Sequence, residues 1–290
     1  MKSELLFIVN PIAGHRKGPL IKNLIDSSGL KEKFNVEFEL TTHRGHATTL
    51  ASEAVKQNKY CVVAVGGDGT VNEVGRALNG TDTSLAVIPA GSGNGLARHL
   101  KFPADPAKAL QKILNGTVSK IDVLDINNRL SLNVSGFGFD GYVAWLFDKS
   151  GKRGLSGYTR IALKEYFRYK PVSFNITIDD KHIDRTAHMV VIANASQFGN
   201  AAIIAPLADL HDGLMDVIIV NRPPLHQMPG LFYRLFTGKL KTDNYTTMYQ
   251  CRSLEVEASH PVHLHIDGEP SDPISKVKAV IQPSSLNVIS

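Results

Sequence analysis

Short apolar runs rich in branched residues recur at 5–9, 35–40, 62–65 and 85–88, and between them lie stretches at 20–26, 47–57 and 71–78 with apolar residues at helical spacing. This alternation predicts a parallel sheet with crossover helices. Beyond Asn115-Gly116 the rhythm changes to closely spaced strand-like runs at 121–126, 130–134, 172–178, 188–193, 215–220, 254–258 and 262–266. Such spacing predicts an antiparallel, sandwich-like second domain. The expected organisation is an α/β domain over 1–120 and a β-sandwich-like domain over 121–283, with no internal repeat or low-complexity linker.

Two glycine clusters fall where an apolar strand ends and a helix begins: Val65-Gly66-Gly67-Asp68-Gly69-Thr70-Val71-Asn72-Glu73-Val74, and Ile88-Pro89-Ala90-Gly91-Ser92-Gly93-Asn94-Gly95. Glycines let the backbone turn with positive φ and let its amides approach an anion, and amides converging at a helix N-terminus make an anion cradle. A lone Asp68 among them repels polyphosphate unless a divalent cation bridges the two or a nearby hydroxyl must lose its proton. That combination points to phosphoryl transfer more than to passive binding. The dinucleotide fingerprint G-x-G-x-x-G fails, because Asn72 and Leu96 stand where its last glycine belongs. No Walker loop, G-x-S-x-G elbow or H-E-x-x-H is present. The alternative reading of the clusters is a pair of tight strand-to-helix turns.

These segments resemble the diacylglycerol kinase catalytic-domain superfamily, which includes bacterial lipid kinases and the sphingosine and ceramide kinases. The resemblance runs from Asn10-Pro11 and its glycine-rich continuation to Gly18, through Thr41 in Thr41-Thr42-His43-Arg44-Gly45-His46-Ala47, both glycine clusters and Asp122. It continues through Asp209-Leu210-His211-Asp212-Gly213-Leu214 to Asp267-Gly268-Glu269. It implies a first domain like that of NAD kinases, to which residues 284–290 return, and a second domain for the lipid. It also implies ATP and Mg²⁺ as cofactors and Glu269 as the general base. One departure stands out: bacterial diacylglycerol kinases read G-T-x-N-D in the second cluster, whereas Gly91-Ser92-Gly93-Asn94-Gly95 is closer to the sphingosine and ceramide kinases. The carboxylate expected at 95 is absent.

Composition narrows the partners. The 290 residues, 43% hydrophobic and 20% charged, describe a globular protein with a sizeable core. The formal charge of +5 is scattered, which supports anionic phosphate or lipid headgroups over nucleic acid. Cys61 and Cys251 lie far apart with no C-x-x-C, as fits a reducing, cytoplasmic compartment. The leading apolar run at 5–9 is too short for a signal peptide or a membrane span. Peripheral contact with the inner membrane face is expected, and a second copy of the chain is carried as a possible partner.

The expected nucleotide site comprises Asn10, Thr41, Gly66, Gly67, Asp68, Gly69, Thr70, Val71, Asn72, Gly91, Ser92 and Asn94. Asp68 acts through Mg²⁺ or on the acceptor hydroxyl. Thr41 alternatively caps the following helix, and Glu73 either supports the network or favours a helix dipole. Glu269 reads equally as part of an Asp-Gly hairpin turn, and Asp122 as a network member or a strand cap. Asp209 and Asp212 with the Leu214 carbonyl form either a hydrated Mg²⁺ site or two Asx turns. His263 and His265, with Asp267 and Glu269 behind them, share a strand face and make zinc conceivable. The aromatic, basic stretches 158–169 and 225–240 lie on a bilayer or pack on the core with snorkelling bases. The expected activity is ATP- and Mg²⁺-dependent phosphorylation of a hydroxyl on a diacylglycerol-like or sphingoid lipid. A soluble kinase of a small polyol or of NAD, and a nucleotide-binding regulator without catalysis, are the alternatives.

Overall fold

The computed structural model describes residues 2–13, 18–151 and 154–290; the stretch Gly14 to Lys17, part of the glycine-rich continuation after Asn10-Pro11, lies outside them. The chain divides into two compact units, residues 1–121 with 284–290, and residues 122–283.

In the first unit the elements run β1 (Ser3–Val9), α1 (Gly18–Ser27), α2 (Leu30–Lys33), β2 (Phe34–Leu40), α3 (His46–Lys56), β3 (Cys61–Gly66), α4 (Asp68–Leu78), β4 (Ser84–Pro89), α5 (Gly95–His99) and α6 (Pro106–Asn115). The strands pair in parallel in the order β2-β1-β3-β4, and near the C-terminus Val288 pairs with Leu85. Every residue of β3 and β4 is buried. Strands covered on both faces need continuous apolar runs rather than alternation, which is why these stand out in the sequence. Cys61 is fully buried, and burial pushes its thiol far above the usual range. Asp105 starts α6 by accepting the amides of Ala107 and Lys108, with Pro106 at the first helical position.

The second unit contains β5 (Val118–Ile126, from Asp122 onward), β6 (Arg129–Ser131), β7 (Val134–Gly138), α7 (Phe139–Lys149), α8 (Leu155–Tyr166), β8 (Val172–Ile178), β9 (Lys181–Ala187), β10 (Met189–Ala193) and β11 (Met215–Val220). There follow α9 (Met228–Thr237), β12 (Thr246–Cys251), β13 (Ser253–Val262), β14 (Leu264–Ile266), β15 (Glu269–Pro270) and β16 (Ile274–Ile289, to Pro283 in this unit). One sheet carries the order β16-β13-β8-β9, and the other is β12-β11-β10-β7-β14-β15. Phe174, Ile176 and Val256 of the first sheet pack with Val190, Ile192 and Val217 of the second in one core, the sandwich arrangement the spacing predicts.

The structure corrects the strand expected at 130–134. It is two strands, β6 and β7, broken where the amides of Leu132 and Asn133 leave the ladder to bond the Asp267 carboxylate. The helix α7 and the strands β9 and β12 were not anticipated. No helix among the described residues is long and apolar enough to cross a membrane.

Candidate active site

The two glycine clusters meet in the first unit. A Cβ on Gly91 would lie 2.5 Å from the Gly67 Cα, and one on Gly66 would lie 2.4 Å from the Thr70 Oγ1. Only glycine permits this approach. The amide of Ala90 donates to the Gly66 carbonyl at 2.8 Å, which sets the register of the loops. Asp68, the first residue of α4, then spans them: its Oδ2 accepts the Asn94 amide at 2.8 Å and its Oδ1 the Gly95 amide at 2.7 Å. Burial pushes the Asp68 carboxyl up, while those amides and Arg98 pull it back without cancelling the rise. Asn94 adopts a left-handed conformation, φ 54°, and closes its own loop, accepting the Gly91 amide at 2.9 Å and donating to the Gly91 carbonyl at 2.7 Å. Gly69 and Ser92 are exposed, and a Cβ on Gly69 would meet nothing within 4 Å.

Asn10 and Thr41 follow β1 and β2 at the same sheet edge. The Asn10 amide donates to the Val65 carbonyl at 2.9 Å, and its side chain donates to Thr70 Oγ1 at 3.3 Å. The Thr41 amide donates to the Val9 carbonyl at 2.9 Å. Thr41 is not a helix cap, because α3 starts at His46 behind a left-handed Gly45, φ 86°. Glu73 caps that helix instead, accepting the Gly45 amide at 2.9 Å and the Ala47 amide at 3.2 Å. Its carboxylate favours a helix dipole, but that of α3 rather than its own helix. Val71 and Asn72 are buried.

In the second unit Asp267 and Gly268, with φ 52° and 84°, form a two-residue turn that pairs Ile266 with Glu269. Positive φ at both positions is the type I′ signature, so the turn reading of this segment holds. Glu269 is mostly buried at 17% side-chain exposure, with an Arg129 guanidinium nitrogen 3.6 Å from its Oε2. The turn is pinned from far away in sequence. Asp267 accepts the Ser131 hydroxyl at 2.7 Å and the amides of Leu132 at 2.8 Å and Asn133 at 2.9 Å.

Beside the turn, the Gly268 amide donates to His265 Nδ1 at 3.1 Å, which assigns the ring proton to Nε2, 2.7 Å from Asp140 Oδ2. The Tyr158 hydroxyl donates to the other Asp140 oxygen. Burial alone would raise Asp140, but its pairing with His265 and the Tyr158 hydroxyl outweigh it and hold the carboxyl below its usual range. Zinc at His263 and His265 is not what the side chains form. The His263 ring packs 4.6 Å from Trp145 and 5.5 Å from Tyr142, and no group of three or more metal-ligating residues occurs among the described ones.

Asp122 is buried, and its carboxylate accepts the Gly213 amide at 2.7 Å while its amide donates to the Leu210 carbonyl. It therefore anchors the loop that carries Asp209, Asp212 and Leu214. Within that loop Asp209 accepts the His211 amide at 3.0 Å and Asp212 the Leu214 amide at 2.9 Å, both Asx turns. Each turn uses one carboxylate oxygen, Oδ1.

Sequence reasoning missed Asp140, Tyr158 and the anchoring work of Asp267. A signal for the first existed in Gly138-Phe139-Asp140-Gly141, an acid between glycines at a strand end; Gly136 and Gly141 leave no room for a Cβ against Asp140 and the His263 carbonyl.

Residues 4–126 match the model of the diacylglycerol kinase catalytic domain, and residues 133–290 that of the YegS C-terminal NAD kinase β-sandwich-like domain. A Pseudomonas aeruginosa protein named probable lipid kinase YegS-like is 30% identical over 253 residues, covering 86% of this chain and 82% of its own. A Bacillus subtilis protein named diacylglycerol kinase is 28% identical over 236 residues, covering 79% and 77%. A solved diacylglycerol kinase from Bacillus anthracis shares the fold, with a TM-score of 0.79 at 22% identity over 99% of this chain and 96% of that one. With both domain models matched in order and a relative aligned along most of its length, the chain belongs to the diacylglycerol kinase-like family of lipid kinases.

Proposed function

We propose that this protein transfers the terminal phosphoryl group of ATP, with Mg²⁺, to a hydroxyl of a diacylglycerol-like or sphingoid lipid at the inner membrane face. The observation that carries the reading is the glycine-on-glycine contact of Gly67 with Gly91, bridged by Asp68 through the Asn94 and Gly95 amides. Backbone bared on both loops, with open space at Gly69, fits a polyphosphate held by amides. On this reading residues 66–72, 91, 92 and 94, with Asn10 and Thr41, hold the nucleotide.

The oxygen donors present suit a hard cation. Asp68 would hold Mg²⁺ beside the phosphates, and Asp209, Asp212 and the Leu214 carbonyl would hold a hydrated ion that ties their loop to Asp122. Bound Mg²⁺ supplies charge neutralisation on the phosphate oxygens. Glu269 is the general base: it takes the acceptor hydroxyl's proton as the lipid oxygen bonds to the γ-phosphorus, the bond to the β-phosphate oxygen breaks, and ADP departs. Gly95 supplies an amide to Asp68, a bond any residue at 95 could make, so the missing carboxylate alters charge near the loops but not their closure.

Radiolabelled phosphate transfer from ATP, offered a total lipid extract beside a panel of polyols and NAD, tests the reading. Label in the lipid phase is the expected result. Label only in a soluble acceptor would reassign the chain as a soluble kinase, and ATP binding without any transfer would make it a regulator.

A further inference from the structure

The helix α9 keeps two faces. Leu231 and Leu235 pack on the core cluster of Val191, Val220 and Leu240. The opposite face is bare: Leu225, Pro229, Tyr233 and Phe236 are all exposed, Leu225 and Tyr233 at 60% and Phe236 at 45%. Their spacing of four, four and three residues puts them on one stripe that starts in the short turn before the helix. A stripe of this size on a small protein marks a contact surface.

Charge identifies the occupant. Between Asn221 and Thr242 there is no Asp or Glu, and Asp243, the next acid along the chain, is taken up by Arg234 at 2.8 Å, while Arg222, Lys239 and Lys241 are exposed at the two ends of the stripe. The Lys239 ammonium lies 5.8 Å from the Tyr233 ring centre, and the Arg222 guanidinium 5.1 Å from that of Tyr166. Tyr166 of α8 in turn donates its hydroxyl to the Pro223 carbonyl, which joins the end of α8, with its exposed Phe167, to the start of the stripe. Apolar and aromatic residues flanked by exposed bases, with the neighbouring Asp243 already neutralised by Arg234, match an interfacial helix seated at the boundary of headgroups and acyl chains. A second copy of this chain fits worse. Two-fold symmetry would set the stripe against itself and bring the bases at its ends toward those of the copy, with the neighbouring Asp243 already paired to Arg234.

We infer that the outward face of α9, with Leu225 before it, is the element that docks this protein on an anionic lipid bilayer. The inference deepens the proposed function, since a kinase acting on a bilayer-resident lipid must hold itself there, but it is read by binding alone and needs no turnover. Neither Tyr233 nor Phe236 belongs to the catalytic or nucleotide-binding residues above.

The test is co-sedimentation of the full chain with phosphatidylcholine vesicles, with and without phosphatidylserine, for the wild type, Tyr233→Ser/Phe236→Ser and Lys239→Glu/Lys241→Glu. Wild type should bind the anionic vesicles and be released by salt, and each double variant should bind at least about tenfold more weakly. Transfer to a vesicle-borne lipid should fall in step, while transfer to a monomeric short-chain acceptor stays unchanged. Wild-type binding by both variants, or no binding by the wild type, overturns the inference. So does a gel-filtration shift from dimer to monomer in the aromatic variant, which would give the face to a second copy. Should the double serine variant fail to fold, the lysine pair, which touches no core, decides alone. Vesicle binding that obeys these expectations without phosphate transfer into any lipid would leave the docking face standing and sink the proposed function instead.

Discussion

The glycine loops of the first unit and the Glu269 turn of the second are both held by an aspartate that accepts backbone amides, but over different distances in sequence. Asp68 reaches amides 26 and 27 residues away, in the next strand-to-helix loop. Asp267 reaches groups 134 to 136 residues away, and the His265–Asp140 pair beside it spans 125. The first arrangement is assembled by adjacent parallel strands that deliver their loops to one edge. The second exists only once the sandwich has closed, because the partners of Asp267 come from Ser131 at the end of β6 and from Leu132 and Asn133 just after it. A chain can thus announce one residue cluster in a motif and leave another to tertiary structure.

Glu269→Gln probes the long-range cluster most directly. The amide keeps the side chain's shape but cannot take a proton, so kcat should fall by about 10²- to 10⁴-fold while ATP binding, followed by calorimetry, persists. Full turnover in this variant would reduce the segment to its turn chemistry and return the role of base to Asp68.

Asp68→Asn probes the local cluster. The change removes a charge, and its amide group can accept only one of the two backbone N–H groups that the carboxylate now serves. A loss in kcat of at least about a hundredfold is expected, with a folded protein by circular dichroism. Near-normal kcat would sink the assignment of Asp68.

What was legible follows the same division. The strands β1, β3 and β4 and both glycine loops could be read because buried parallel strands are apolar in continuous runs and tight approaches demand glycine, and the edge strand β2 because Phe34, Val36 and Phe38 alternate with polar residues. The strand β9 could not: it lies at the edge of its sheet, its residues before Ala187 are exposed or half-buried, and Lys181-His182-Ile183-Asp184-Arg185-Thr186 carries no apolar alternation. The edge strand β12, Thr246-Thr247-Met248-Tyr249-Gln250-Cys251, was hidden likewise. Glu269 was visible only by resemblance, since nothing near it in the chain reveals that Asp267 is a buried anchor or that His265 faces Asp140. Even the apolar run at 130–134 misled, because its central amides serve a carboxylate more than a hundred residues away.

Asp267→Ala would measure that pinning as stability. It strips three donors of a buried charged acceptor, two of them amides with no ladder partner, so unfolding free energy should drop by about 3 kcal/mol in urea titration. A drop under about 1 kcal/mol would mean that the turn holds itself and that the contrast between the two regions is one of distance only.

The smallest effect separates packing from chemistry within the second unit. His188 is 3% exposed and neither ring nitrogen has a hydrogen-bond partner; its ring lies 4.5 Å from Phe139 and close to Tyr166 and Tyr169. Burial first, and Arg222 second, push its pKa down from 6.5 to about 4. Between those values the unfolded chain binds a proton that the folded one refuses, so stability rises with pH across the window and is lost as pH falls through it. From pH 7 to pH 5 the loss amounts to about 2 kcal/mol. His188→Leu should flatten that limb of a melting-temperature profile, because leucine has nothing to protonate in either state. An acid limb as steep in the variant as in the wild type would show that His188 does not set the acid sensitivity of the sandwich, and that its burial among aromatic rings is a matter of packing alone.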